Sequence, residues 1–172
     1  MKIIITYVLV IAAVLCIGFW LFHTSQKSQN PANLPGTAYP IVSRNHIQPG
    51  EQPSIAYNSN PPTSGDHYPQ PASCGNYDTT QPDGTLIHNL EHGGIWISYK
   101  PSVDDQTKTE LKDFATRFNN VIVEPRDADD SNIALAAWGH LLKLDKYDES
   151  QILSFINAFI NKGPEQVPCV QM

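Results

Sequence analysis

Hydrophobic positions are distributed unevenly along this chain, and the first block is continuous. Residues 3–22, IIITYVLVIAAVLCIGFWLF, carry no charged side chain. A helix of that length rises about 30 Å, the depth of a bilayer's hydrocarbon core, so the run predicts one transmembrane helix. A cleaved leader is the rival reading, since Lys2 precedes the run. Leader cores are usually about 7–15 residues long and end on small side chains. This run ends Phe19-Trp20-Leu21-Phe22, and aromatic groups suit a membrane–water interface, so an uncleaved anchor over residues 1–23 fits better. Cys16 as a lipid-attachment site is disfavoured by Leu15, where processing needs a small residue.

The pattern then turns polar. Residues 24–40 read as a linker, and 41–172 as one globular domain, a length that suits a single core. Ten of the fourteen prolines lie between Pro31 and Pro82, and no hydrophobic period runs through that stretch. Proline removes a backbone donor and restricts its predecessor, so the N-terminal half of the domain is expected to be long irregular coil. Tyr57, Tyr68 and Tyr77 give that coil aromatic groups to pack.

Regular periods begin at Gly93-Gly94. Ile95-Trp96-Ile97-Ser98-Tyr99 predicts a strand. Ser102 and Asp105 are spaced as a capping box ahead of Leu111, Phe114, Ala115 and Phe118, which repeat at helical spacing up to Asn119-Asn120. Val121-Ile122-Val123 predicts a short strand. Ile133–Leu144 has helix-forming Ala and Leu, yet Gly139 and the alternation Trp138, His140, Leu142 favour strand. Ile152, Leu153, Ile156, Phe159 and Ile160 form a helical stripe opened near Asp148 and closed before Gly163-Pro164. The sum is an α+β domain, a small sheet with two packed helices.

Charge and cysteine narrow the setting. A net charge of −6 argues against a nucleic-acid partner, which would want a basic patch. Lysine and arginine flank the apolar run too evenly to set its orientation. Outside that run only Cys74 and Cys169 remain, and two cysteines in a small exported domain are expected to pair, which points to the extracytoplasmic side.

Chemistry concentrates in the irregular half. Four of the six histidines, His46, His67, His88 and His92, fall in patches rich in Gly, Pro and Asn. Imidazoles are the usual transition-metal ligands once cysteines have paired, and copper and zinc both accept them. Geometry constrains sharing: on a strand His88 and His92 would stand about 13 Å apart. On a helical turn, i and i+4 are neighbours. Residues 85–92 are therefore expected to make such a turn, with Thr85 as its cap and Gly93 as its left-handed terminator. Glu91 and Asp66 are candidates to orient the imidazoles from behind. His88-x-x-Glu91-His92 also matches the inverted zinc-protease pattern, although Gly93-Gly94 breaks the helix that motif needs and no further ligand is identifiable. The bland alternative has each histidine satisfying backbone groups of its own loop. Thr63-Ser64-Gly65 reads as a turn, His140 as a packed strand residue and His23 as interfacial.

His46-Ile47, Pro61-Pro62-Thr63-Ser64-Gly65-Asp66-His67-Tyr68, His88-Asn89-Leu90-Glu91-His92-Gly93-Gly94 and Ala137-Trp138-Gly139 resemble a bacterial and archaeal family known as domain of unknown function 3105. The likeness runs from about Pro40 to Pro164. It implies a membrane-tethered protein with one such domain and brings no activity, substrate or cofactor. The leading expectation is therefore a tethered metal-binding domain rather than a catalyst. A structural or interaction module stands second, and a metal-dependent hydrolase third.

Overall fold

Alternation in β3 (Ile95–Tyr99) sends Ile95, Ile97 and Tyr99 to one face of a sheet and Trp96 and Ser98 to the other. Val121 and Val123 in β4 (Val121–Pro125) join the first face, and Ile122 the second. β3 pairs with β4 in parallel and with β5 (Ile133–Ala137) antiparallel. β5 turns at Trp138-Gly139 into β6 (His140–Leu144), with Gly139 at a φ of 70°. Two-residue strands complete the edges: β1 (Thr37–Ala38) against β6, and β2 (Gly75–Asn76) against β4. The order is β1-β6-β5-β3-β4-β2, a mixed six-stranded sheet.

The computed structural model describes residues 34–172, and the apolar run at 3–22, with Cys16 and His23, lies outside them. Among the described residues no helix is long and apolar enough to cross a membrane. Pro35–Met172 forms one unit; within the stretch expected as linker, Thr37–Ala38 pairs with β6, and Tyr39 donates its backbone N–H to the Gly139 carbonyl at 2.8 Å.

Among the described residues three helices pack on this sheet, not the two expected, and the third is α1 (Asp83–Glu91). Leu86 and Leu90 of α1 cover the second face with Trp96, Ile122, Ala134, Ala136 and Leu141. α2 (Asp105–Arg117) and α3 (Glu149–Phe159) cover the first through Leu111, Phe114, Ile152, Phe155 and Ile156. The cap of α2 is Asp104, whose carboxylate accepts from the Thr107 N–H at 2.8 Å, rather than the anticipated Ser102 pair. Asp148 caps α3 in the same way, through the Gln151 N–H at 3.0 Å.

Polar groups on the α1 face are matched to one another. Arg126 reaches Asp83 at 2.7 Å and Asp129 at 2.6 Å, tying the start of α1 to the end of β4. Glu124, fully buried on β4, accepts from the Gln81 N–H and from Trp96 Nε1. Burial nevertheless dominates and pushes its carboxyl up to about 7 from 4.5. The folded chain therefore holds a proton there that the unfolded chain releases. Stability from this group is complete below about pH 4.5 and lost as pH rises to about 7, on the order of 3 kcal/mol at 1.36 kcal/mol per unit. Urea unfolding across that window should show wild type losing stability relative to Glu124→Gln; parallel profiles would refute the assignment.

Candidate metal centre

Backbone pairing, not helix periodicity, joins the two distant loop histidines. Ile47 donates to the His67 carbonyl at 2.9 Å and His67 to the Asn45 carbonyl at 3.0 Å, a parallel β-bridge that sets His46 beside His67. The coil around the bridge is stapled by Asp66, whose carboxylate accepts from the Ser43 and Ser54 hydroxyls and the Ser54 N–H. Those bonds hold the Asp66 carboxyl below the usual carboxylate range. Asp66, expected behind an imidazole, is committed to this staple because two serine hydroxyls and an N–H occupy its oxygens.

α1 supplies the other two rings. It is longer than the single turn anticipated; Thr85 is not its cap, since Pro82 occupies that position and no side-chain bond is made there. The terminator is as expected. Gly93 has a φ of 84°, and the N–H groups of Gly93 and Gly94 return to the carbonyls of Leu90 and Asn89, a Schellman ending. His92 thus sits at the C-cap, four residues from His88, and their Nε2 atoms are 3.0 Å apart. The glycine also permits close passage of the chain after α3. A Cβ on Gly163 would press into the Glu91 carbonyl and the Gly93 nitrogen.

Ring nitrogens of His46, His67 and His88 lie within 4.8 Å of one another and could hold a metal ion. His88 is central: its ring centroid is 5.0 Å from that of His46, 5.1 Å from His67 and 4.4 Å from His92. Its Nδ1 faces the Tyr68 carbonyl at 2.6 Å, which keeps that nitrogen protonated and leaves the Nε2 lone pair toward the cluster. Burial, followed by the neighbouring imidazoles, holds the His88 pKa below its ordinary value, so the ring is neutral at pH 7. Two nitrogens bound to one ion at about 2.0–2.1 Å stand roughly 2.9 Å apart at a right angle and 3.3 Å in a tetrahedron. The spacing of His88 and His92 already satisfies that condition. His46 is the exposed member of the three, its ring stacked on that of His88.

His67 is fully buried and faces two acceptors. Its Nδ1 lies 2.8 Å from the Gly65 carbonyl, and its Nε2 lies 3.0 Å from Glu91 Oε2. A neutral imidazole carries one N–H, so one contact lacks a donor until the ring gains a second proton or a cation takes that nitrogen. Arg44 donates from Nε to the other Glu91 oxygen at 2.8 Å. Glu91 therefore contacts His67 and Arg44, and both its oxygens are engaged. Arg44 is a partner that local spacing does not reveal, since it lies 47 residues from Glu91 in the chain.

His140 lies apart, stacked on Phe159 at 4.2 Å with Nδ1 toward the Trp138 carbonyl, the packed strand residue expected. Ser64 accepts from the Val42 N–H at 3.1 Å and serves its turn. Cys74 and Cys169 form the disulfide. No curated protein and no solved structure matches the chain. The sequence profile of the family described as Protein of unknown function (DUF3105) matches residues 46–171, from the first clustered histidine to the penultimate residue, and the chain belongs to that family.

Proposed function

We propose that the chain is a membrane-tethered protein whose extracytoplasmic domain binds one transition-metal ion, copper or zinc, through His46, His67, His88 and His92. The observation that carries this is the convergence of His46, His67 and His88, with His92 Nε2 3.0 Å from the Nε2 of His88, whose Nδ1 is held by the Tyr68 carbonyl. Orienting one ring nitrogen by a carbonyl is how metal-binding histidines are commonly held. The donor set is all nitrogen, which suits copper, first in the affinity order, and zinc alike. Tethering is supported by the uncharged run at 3–22, and an oxidising compartment by the Cys74–Cys169 disulfide.

Binding or handling of the ion fits better than hydrolysis. A zinc-protease base must reach a metal-bound water, whereas both Glu91 oxygens are occupied by Arg44 and His67. A purely structural role for the rings draws on those same carbonyl contacts, and metal analysis separates the two. The full-length chain, purified in mild detergent without a polyhistidine tag and offered Cu(II) or Zn(II), should retain about one ion after dialysis. Retention of neither metal would remove this reading and leave a structural or interaction module.

A further inference from the structure

After α3 the chain does not leave the domain but crosses the cluster. Asn161, at a φ of 59°, donates to the Gly93 carbonyl at 2.8 Å, and the Glu165 N–H donates to the Glu91 carbonyl at 3.0 Å. This fixes residue 165 over the C-terminal end of α1. Its carboxylate then places Oε2 3.6 Å from His92 Nε2, and Oε1 3.6 Å from Arg44 Nη2. Four residues on, the strand-like tail is clamped. Cys169 is bonded to Cys74 and donates its N–H to Asn120 Oδ1 at 3.0 Å. Cys74 donates to the Val170 carbonyl at 2.7 Å, and Met172 to the Cys74 carbonyl at 3.0 Å. A cavity of about 290 Å³ under the strap has His92, Asn89 and the disulfide in its wall.

We infer that Glu165 is a further ligand of the metal centre, delivered from the C-terminal strap that the Cys74–Cys169 disulfide holds in place. This rests on the metal reading proposed above and extends its donor set from nitrogen alone to nitrogen and oxygen. Donors sharing an ion at about 2.0–2.2 Å stand roughly 2.9–3.3 Å apart, and Glu165 at 3.6 Å from His92 lies a few tenths of an ångström beyond that spacing. The side chain is half exposed and free to close that difference. Neutral imidazoles leave the full charge of a divalent ion uncompensated, and a carboxylate at the open side reduces it. Without an ion, Arg44 holds the same carboxylate in waiting. The clamp matters because a strap without helix or strand is otherwise loosely held, which lowers the effective concentration of its carboxylate at the site.

The test uses full-length protein in detergent, titrated with Cu(II) against a chromophoric chelator, with electron paramagnetic resonance of the loaded samples. Glu165→Gln should weaken binding at least about tenfold and change the copper signal from a mixed nitrogen–oxygen to a more nitrogen-rich environment. Cys74→Ala/Cys169→Ala should weaken it in the same direction, and adding Glu165→Gln to that pair should cost little more, since both act through one strap. Wild-type copper binding with an unaltered affinity and signal in Glu165→Gln overturns this inference alone. Failure of wild type to bind overturns the metal reading with it. Glu165→Gln keeps the disulfide, so it decides the matter even if the cysteine variant does not fold.

Discussion

Alanine at His88 is expected to abolish metal retention, with affinity falling roughly 100-fold or more, about 2.8 kcal/mol. This ring is the hub of the cluster, and without it the centre loses the one imidazole that neighbours His46, His67 and His92 at once. Its depressed pKa matters to the size of the effect, because a proton competes with the ion at this nitrogen only below the ordinary histidine range. The variant also strips the Tyr68 carbonyl of its donor, a cost of about 1–3 kcal/mol that has to be separated from lost coordination. His46→Ala makes that separation. His46 is exposed, so its removal should spare thermal stability while weakening the ion about tenfold or more. His140→Ala, off the cluster on β6, should change neither. Equal metal content in folded His88→Ala and wild type would show that the rings do not converge for an ion.

Elements with a strong period were legible because burial writes the period. β3 and β4 are buried along their length, and α2 and α3 each present one stripe to them. The Ile133–Leu144 segment mixed both signals since it is two strands around a Trp138-Gly139 turn. β1 and β2 are two residues each, too short to carry any period. α1 was seen only in part. Gly84 weakens its helical look, yet that glycine is buried where a Cβ would sit 3.2 Å from the Tyr68 ring, a packing requirement no local pattern reports.

The centre was half legible for the same physical reason. His88 and His92 are joined by helix geometry, which spacing reveals. His46 and His67 are joined by two backbone hydrogen bonds across proline-rich coil, and backbone pairing leaves no trace in side-chain identity. Satisfying loop carbonyls and holding an ion looked like competing uses of a histidine. In the structure they coincide at His88, whose Nδ1 serves the Tyr68 carbonyl while its Nε2 faces His92. Arg44 and Glu165, separated by most of the chain, meet only because the strap after α3 folds back.

Loss of the Glu91 side chain should be the most destabilising single change at the centre. Glu91 is 2 % exposed, and its carboxylate meets buried His67 on one side and half-exposed Arg44 on the other. The Arg44 contact is screened by water and contributes little. The His67 contact is the costly one to lose, because Glu91→Ala leaves a buried ring nitrogen facing a void. Stranding a buried hydrogen-bonding nitrogen costs about 1–3 kcal/mol, and the void beside it adds to that, together a large share of the roughly 5–15 kcal/mol that holds a domain folded. At this chain length the melting temperature should drop by roughly 10 °C or more. Glu91→Gln should recover most of that loss. Its amide can donate to a neutral His67 Nε2 while its oxygen still accepts from Arg44, so the site stays satisfied without charge. Thermal unfolding of the three proteins at pH 7, followed by tryptophan fluorescence, reads the order directly. A melting point for Glu91→Ala within a degree or two of wild type would mean that His67 is held by packing alone, and the carboxylate would then have to be reconsidered as a group free to act on something bound.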